Sequence, residues 1–299
     1  MQPNADFWRG KRVCITGGTG FLGWHIAQAL LPLAAHVRVL GLKSAHPHKS
    51  ADAGIETIYA DIRDATAVRE ALADCDVVFH AAASVAVWGP ALNVMHEIHT
   101  QGTRNVLAAL PANARLVHTS SVVAIGATRD GASLNEASAF ELQSLQVDYV
   151  HAKENAEGLA LSAAAQGRDV VVVNPGYLIG PNDEEGSVMG RFCLRCWQGW
   201  VPLVPAGGLN FVDVRDVALG HLLAAERGVC GRRYILGGAN LPMTDFVRAL
   251  ASVHGMSARA PEMPAWLNAL VALGAEAIAL VTRREPYPSF QHYRLTRFF

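Results

Sequence analysis

The stretch ITGGTGFLG at residues 15–23 constrains the fold of this chain more than any other. It closes the apolar run KRVCIT (11–16) and opens a segment with helical spacing that reaches Leu31. Glycines at 17, 20 and 23 suit a tight strand-to-helix turn. One permits the turn, one lets backbone approach a pyrophosphate, and one lets the helix pack closely on the strand. A helix starting there offers free N–H groups and its positive dipole end to phosphates. A glycine loop alone is a weak signal, and a merely structural turn is the plain alternative. Placed between the first strand and the first helix, it becomes a strong one.

The segments that follow repeat this alternation. HVRVLG (36–41) and ETIYA (56–60) read as strands, and a helix around 64–73 leads into DVVFHAA (76–82). A long helix to about Leu110 precedes RLVHTSS (115–121), and another from about 148 to Gln166 delivers DVVVVNP (169–175). Short apolar strands buried on both faces and separated by helices predict an α/β fold, a Rossmann-type doubly wound parallel sheet. Residues 1–175 are expected to form the dinucleotide-binding Rossmann domain. Beyond Pro175 the alternation weakens and Gly, Pro and Trp cluster, as in CWQGWVPLVPAGGLNF. Residues 176–299 are expected to form mainly a smaller substrate-binding domain, with part of 209–240 returning to the Rossmann sheet.

Composition excludes several classes. The net charge of −1 over 299 residues offers no basic excess for nucleic acid. The N-terminus, MQPNADFWRGKR, lacks the apolar core of a signal peptide. The longest apolar run, WLNALVALGAEAIALV (266–281), is short for a bilayer span and carries Glu276. It reads as a buried or pocket-covering helix, with membrane contact as the alternative. Five scattered cysteines fit a reduced, cytoplasmic setting. CLRC (193–196) is expected on a helix without a redox role, and HEIH (96–99) on a solvated helix face. No metal site is expected.

The chemistry starts at DYVHAKENAEG (148–158). Tyr149 and Lys153 are four apart and share one face of a helix. A phenol is a poor acid at neutral pH, with a pKa of about 10. A neighbouring ammonium favours the phenolate. Beside a substrate, the pair makes a general acid/base.

TGxxGxxG at the start, DIRD (61–64), HAAA (80–83), TSSVVAIG (119–126), YxxxK (149–153) and NPGYLIGP (174–181) occur in that order. The chain thereby resembles the extended short-chain dehydrogenase/reductases, the NAD-dependent epimerase/dehydratase superfamily, over nearly its whole length. Its look is nearest to the dihydroflavonol-4-reductase-like, 3β-hydroxysteroid-dehydrogenase-like and hopanoid-associated epimerase-like branches, supported by GLNFVDVRDVALGHLLAAERG and GRRYILGG (208–238). The resemblance implies that Ser121 hydrogen-bonds the reacting carbonyl oxygen and that Tyr149 exchanges a proton with it. Lys153 is implied to lower the phenol's pKa and to bind the nicotinamide ribose. Further implied cofactor contacts are Gly17, Thr19, Gly20, Phe21, Leu22 and Gly23 in the loop, and Asp61 and Ile62 beside the adenine. Ala81, Ala82, Ala83 and Thr119 line the middle, and Pro175, Gly176 and Leu178 the nicotinamide end. The resemblance also implies a homodimer in which helices at about 93–110 and 148–166, both read as Ala-rich and amphipathic, pair across a two-fold axis. The C-terminal stretch EPYPSFQHYRLTRFF stops short of the final segment of such proteins, which implies a more open pocket.

Within the family, sugar-nucleotide dehydratases carry an Asp-Glu pair where Val122 and Val123 stand. Nucleotide-sugar epimerases usually carry an arginine where Leu209 stands, and an apolar residue there leaves a diphosphate unpaired. The expected reaction is ketone reduction or secondary-alcohol oxidation on a moderately apolar small molecule, with Trp197, Trp200 and the 266–281 segment as pocket material. An epimerase is the runner-up, and a non-catalytic NADP-binding sensor or scaffold is the third reading. His80 reads as a packed core histidine, while Trp88 and Tyr177 stand between pocket wall and packing.

Cofactor choice turns on the second strand. An NAD-specific fold places a carboxylate at its end, on the ribose 2′-OH. Here the strand ends VRVLGLKS, with Gly41 near that position and no carboxylate before Asp52. Lys43, joined by Ser44, His46 and His48, suits a 2′-phosphate. In reductase-like relatives the phosphate-binding arginine aligns with Leu42, and the plain alternative for Lys43 is a solvated loop charge. NADP(H) is expected over NAD(H), with NAD(H) as the alternative.

Overall fold

The computed structural model describes residues 2–43, 54–129, 131–183, 187–198, 203–253, 255 and 261–295. Ser44, His46, His48, Asp52 and Trp200 lie outside the described residues. The first half runs α1 (Ala5–Trp8), β1 (Arg12–Thr16), α2 (Phe21–Leu30), β2 (His36–Gly41), β3 (Ile55–Tyr59), α3 (Ala65–Leu72) and β4 (Val77–His80). Then come α4 (Ala91–Glu97), α5 (Thr103–Ala109), β5 (Arg115–Thr119), α6 (Asp148–Ala165) and β6 (Val170–Pro175). The remainder is β7 (Tyr177–Ile179), α7 (Val188–Trp197), β8 (Gly208–Asp213), α8 (Val214–Arg227), β9 (Arg233–Leu236), β10 (Ala239–Pro242), α9 (Met243–Val253), α10 (Ala265–Thr282) and α11 (Phe290–Leu295).

Seven strands pair in parallel in the order β3-β2-β1-β4-β5-β6-β9, the expected doubly wound sheet. Side chains alternate between its faces. Ile15, Val39, Phe79 and Val173 pack with Ile26 and Leu30 of α2 and Leu222 of α8. Cys14, Val78, Leu116 and Val172 pack with Leu72 of α3, Val106 of α5 and Ala160 of α6. Burial on both faces explains why β6, VVVVNP, is buried at every position. Strand order reverses between β1 and β4, which opens a crevice at the carboxyl ends of the strands.

After β6 the chain leaves the sheet and returns. β7, β8 and β10 form a second sheet in the order β10-β8-β7. α7 and α9 cover it around Phe192, Phe211 and Phe246, the last two rings stacked 3.9 Å apart. Of residues 209–240, the strand Arg233–Leu236 rejoins the main sheet beside β6.

Three segments differ from the sequence expectation. First, α4 continues through a π turn, Ile98–Gly102, into α5. The wider turn shifts the helical register, so HEIH is not one solvated face. His96 stays half exposed, but His99 is buried and its Nε2 donates to Ser84 O at 2.8 Å. Second, α6 is not amphipathic in the ordinary sense. Its buried stripe carries Lys153 and Glu157 among alanines. Third, α10 is not a buried helix. It buries Asn268, Ala272 and Ala279 and leaves most of its large apolar residues exposed. The polar and small residues face inward, and Glu276 accepts from Phe290 N of α11 at 2.8 Å. CLRC does lie on a helix, α7, where burial first pushes both thiols up to about 11, which leaves them poor nucleophiles.

Candidate active site

The glycine loop is shaped by close approach. Gly17 has φ of 71°, and a Cβ there would lie 2.7 Å from the backbone of Ala82. A Cβ on Gly23 would lie 2.3 Å from Gly17 O. Gly20 is the extended N-cap of α2 and provides no side-chain cap. The first-turn N–H groups, around Phe21 and Leu22, are thus left for an anion. Thr19 Oγ1 donates to Leu42 O at 3.0 Å and ties the loop to the end of β2. This Cβ-free cradle at a helix start fits a dinucleotide pyrophosphate. Gly41 abuts the same threonine, and a Cβ there would meet Thr19 Oγ1 at 2.4 Å, so the strand end has little room for an acidic side chain. Lys43 is exposed just beyond it.

The segment expected beside the adenine is equally defined. The Arg63 guanidinium holds Asp61, 2.8 Å away, and lowers its carboxyl below the usual range. Ile62 is buried beneath Gly102, where a Cβ would approach its Cγ2 to 2.8 Å. Ala81 N donates to Thr16 O at 3.1 Å and Ala82 N to Thr16 Oγ1 at 3.3 Å; Ala83 follows, exposed.

Tyr149, Lys153 and Glu157 occupy successive turns on one face of α6. Lys153 is 4% exposed, and its Nζ donates to Thr119 O at 3.1 Å. Burial draws its ammonium down to about 8, with the Glu157 carboxylate acting the other way. Tyr149 is partly buried, its ring edge-on to His99 at 6.0 Å. Burial pushes its phenol up, the Tyr177 phenol adds to this, and hydrogen bonding with Ser121 opposes it. The expected lowering of the phenol is therefore reversed in the chain itself, because burial outweighs the opposing contact. Ser121 caps a short turn, Val122–Ala124, its Oγ accepting from Val123 N at 3.4 Å. Thr119 is buried, its hydroxyl 2.9 Å from His221 Nε2.

A polar layer that sequence reasoning passed over holds this turn in place. Asn174 Nδ2 donates to Ser121 O at 3.0 Å and to Glu157 Oε2 at 2.6 Å. Arg233 reaches Glu157 Oε1 at 3.3 Å from β9. The spacing of Glu157, four beyond Lys153, was the signal available. His80 is a packed core histidine as expected, 2.7 Å from Thr16 Oγ1 and 3.0 Å from Thr103 Oγ1. Burial, then the Lys153 charge, draws its imidazole down to about 3; His99 falls to about 3 for the same reasons.

Pro175 ends β6 buried, and Gly176 passes so close to β8 that a Cβ would meet Asn210 Oδ1 at 2.4 Å. Leu178 then pairs with Val212 in the small sheet. Beside the serine turn lies a cavity of about 280 Å³, its apolar wall built by Val122, Ile125, Leu134, Tyr177, Leu209 and Leu295. Tyr177 is thus pocket wall, and Leu209 faces the cavity. Trp197 does not line it. It is exposed on α7, with Nε1 donating to Leu250 O at 3.3 Å, and α10 is likewise absent from the lining. Trp88 is also outside this lining. The apolar wall comes from the serine turn, the small sheet and α11 instead.

Comparison with known proteins gives a consistent result. The model of the NAD dependent epimerase/dehydratase family matches residues 13–237. The chain is 35% identical over 278 residues to a Synechocystis protein that carries the provisional name dihydroflavonol 4-reductase, covering 91% of this chain and 81% of the relative. It is 32% identical over 256 residues to a 2-alkyl-3-oxoalkanoate reductase of Stenotrophomonas maltophilia, covering 82% and 76%. The crystal structure of gox2253 superposes with a TM-score of 0.83 at 29% identity, covering 97% of this chain and 89% of the other.

Proposed function

The chain belongs to the NAD dependent epimerase/dehydratase family and is an NAD(P)-dependent oxidoreductase of the extended short-chain type; from that premise we propose that it interconverts a ketone and a secondary alcohol on a moderately apolar substrate, using Ser121, Tyr149 and Lys153. The observation that carries this reading is the apolar cavity directly beside the serine turn, with Leu209 in its wall. A diphosphate would find no charged partner at that position. Two relatives named as reductases support the same reaction class.

A bound nicotinamide supplies or accepts the hydride. In the reducing direction Tyr149, kept protonated by burial, gives its proton to the carbonyl oxygen while Ser121 Oγ hydrogen-bonds that oxygen. Lys153, with a pKa of about 8, remains mostly cationic at neutral pH and stabilises the phenolate left behind. Val122 and Val123 offer no side-chain acid or base for elimination. The glycine cradle would hold the pyrophosphate, Asp61 and Ile62 the adenine end, and Pro175, Gly176 and Leu178 the nicotinamide end. We read residues 1–175 as the dinucleotide-binding part and 176–299 as mainly substrate-binding. The missing carboxylate at Gly41 and the cation at Lys43 favour NADP(H). A cytoplasmic homodimer, paired through α4, α5 and α6, completes the reading.

Nicotinamide absorbance during incubation with apolar ketones and alcohols tests the activity. Tyr149→Phe should bind dinucleotide as before and lose turnover by about 10²-fold or more. Near-unchanged turnover in that variant would remove Tyr149 from the mechanism.

A further inference from the structure

α10 has its polarity turned inside out. Its 18 residues span roughly 27 Å at about 1.5 Å per residue. A helix of a water-soluble protein normally aims its apolar stripe at the core and its polar face at solvent. Here the inward stripe is Asn268, Ala272, Glu276 and Ala279, spaced four, four and three. The outward residues include Trp266 (66% exposed), Leu270 (57%), Leu273 (51%), Ile278 (64%), Leu280 (72%) and Val281 (84%). Glu276 is the only charged residue in the helix, and it is spent on α11. Apolar helices of this length are otherwise core helices or N-terminal signals. This one is 17% buried and begins at Ala265, so neither explanation applies.

We propose that α10 is a membrane-surface helix that lies in the plane of an anionic lipid interface, its outward face in the acyl boundary. The ends carry the residues such an interface selects. Trp266 stands in the first turn, and Tyr287 is exposed beyond the last, with the Arg195 guanidinium 3.9 Å from its ring centroid. Interfacial Trp and Tyr sit at headgroup level. Arg283 and Arg284 follow the helix directly, and Arg191, one turn before Arg195 on α7, also acts electrostatically on Tyr287. Arg283 and Arg284 are exposed at this end, with Glu285 beside them, and such cations complement anionic headgroups. Glu262 lies at the opposite end, before Trp266. Leu194 and Trp197 of α7 are also exposed and add apolar surface near the arginine end. The helix does not span, because its inward stripe is occupied by α11 and carries Asn268 and Glu276. α11, which packs on the inward stripe, also contributes Leu295 to the cavity wall.

The test is flotation of the purified full chain with phosphatidylcholine vesicles, with and without phosphatidylglycerol, at low and high salt. The wild type should float with the anionic vesicles, less so at high salt. Leu270→Glu combined with Ile278→Glu changes outward residues only and should lower partitioning by about tenfold or more. Arg283→Glu with Arg284→Glu should reduce binding mainly at low salt. Urea midpoints and dinucleotide titration verify that each variant is folded. Failure of the wild type to float, or a doubly charged variant that floats equally well, overturns the proposal. So does light scattering in which that variant converts a wild-type dimer into monomer while vesicles fail to compete, since α10 would then be covered by a second copy.

Discussion

Replacing Lys153 with methionine should leave the protein inactive and more stable. Lys153 is buried, and burial takes its ammonium down to about 8, whereas a lysine in the unfolded chain titrates near 10.4. The unfolded chain therefore holds this proton more tightly than the folded one. Between these two values the unfolded state binds more protons, so stability rises with pH through that window. Below about pH 8 the burial penalty is present in full, about 3 kcal/mol from the distance between the two values. Methionine matches the chain length without the charge and removes the penalty. It also loses the donor to Thr119 O, worth about 1 kcal/mol, while Glu157 keeps Asn174 and Arg233. The variant should be more stable by about 2 kcal/mol at pH 7, and by pH 10 that advantage should fall by about 2 kcal/mol. Urea unfolding of both proteins at the two pH values measures this. A gap that stays constant with pH, or a variant less stable at pH 7, refutes the reasoning.

Gly17→Ala should lower stability by about 2 kcal/mol or more, since its positive φ and the Ala82 backbone 2.7 Å from the new Cβ act together; a thermal melt that does not move would contradict this. The same variant should bind dinucleotide weakly, seen by fluorescence titration. Lys43→Ala should weaken NADP(H) about tenfold and leave NAD(H) unchanged. Equal affinity of the wild type for both cofactors would remove the basis of that reading. Light scattering at micromolar concentration should show a dimer; a monomer alone would count against pairing through α4, α5 and α6.

The sheet was legible because each β-branched run carries its own evidence of burial and the glycine loop fixes where the first crossover begins. Tyr149 and Lys153 were singled out by type and spacing and Ser121 by the family resemblance, and the structure brings the serine turn and α6 together. What the sequence concealed depended on orientation. HEIH read as solvated because a regular helix was assumed, whereas the π turn at 98–102 aims His99 at Tyr149. The 266–281 segment read as buried because its composition is apolar. Composition cannot reveal that Asn268 and Glu276 take the inward stripe. The cavity wall was assigned to Trp197, Trp200 and the 266–281 segment, yet among the described residues it is made by others from Val122 to Leu295, a combination that only the tertiary fold assembles. Asn174 was passed over beside Pro175 and Gly176 because its partners are 17 and 53 positions away.

The excursion between β6 and β9 has a consequence for how the molecule can be divided. Residues 176–232 form a detour within the main sheet's own path, because Arg233–Leu236 closes that sheet beside β6. A truncation after Pro175 would strip β6 of one of its two neighbours and leave a bare edge on a strand that is buried at all six positions, the kind of surface that recruits other chains. It would also remove α8, whose Glu226 accepts from Asn4 N at 2.8 Å and Trp8 Nε1 at 2.6 Å. The chain's first helix is thus fastened by a residue more than 200 positions later. Gene dissection, limited proteolysis and domain-swap engineering should therefore find one cooperative body where the motif map draws two, and a ribosome must pass residue 226 of the 299 before the first helix finds its anchor.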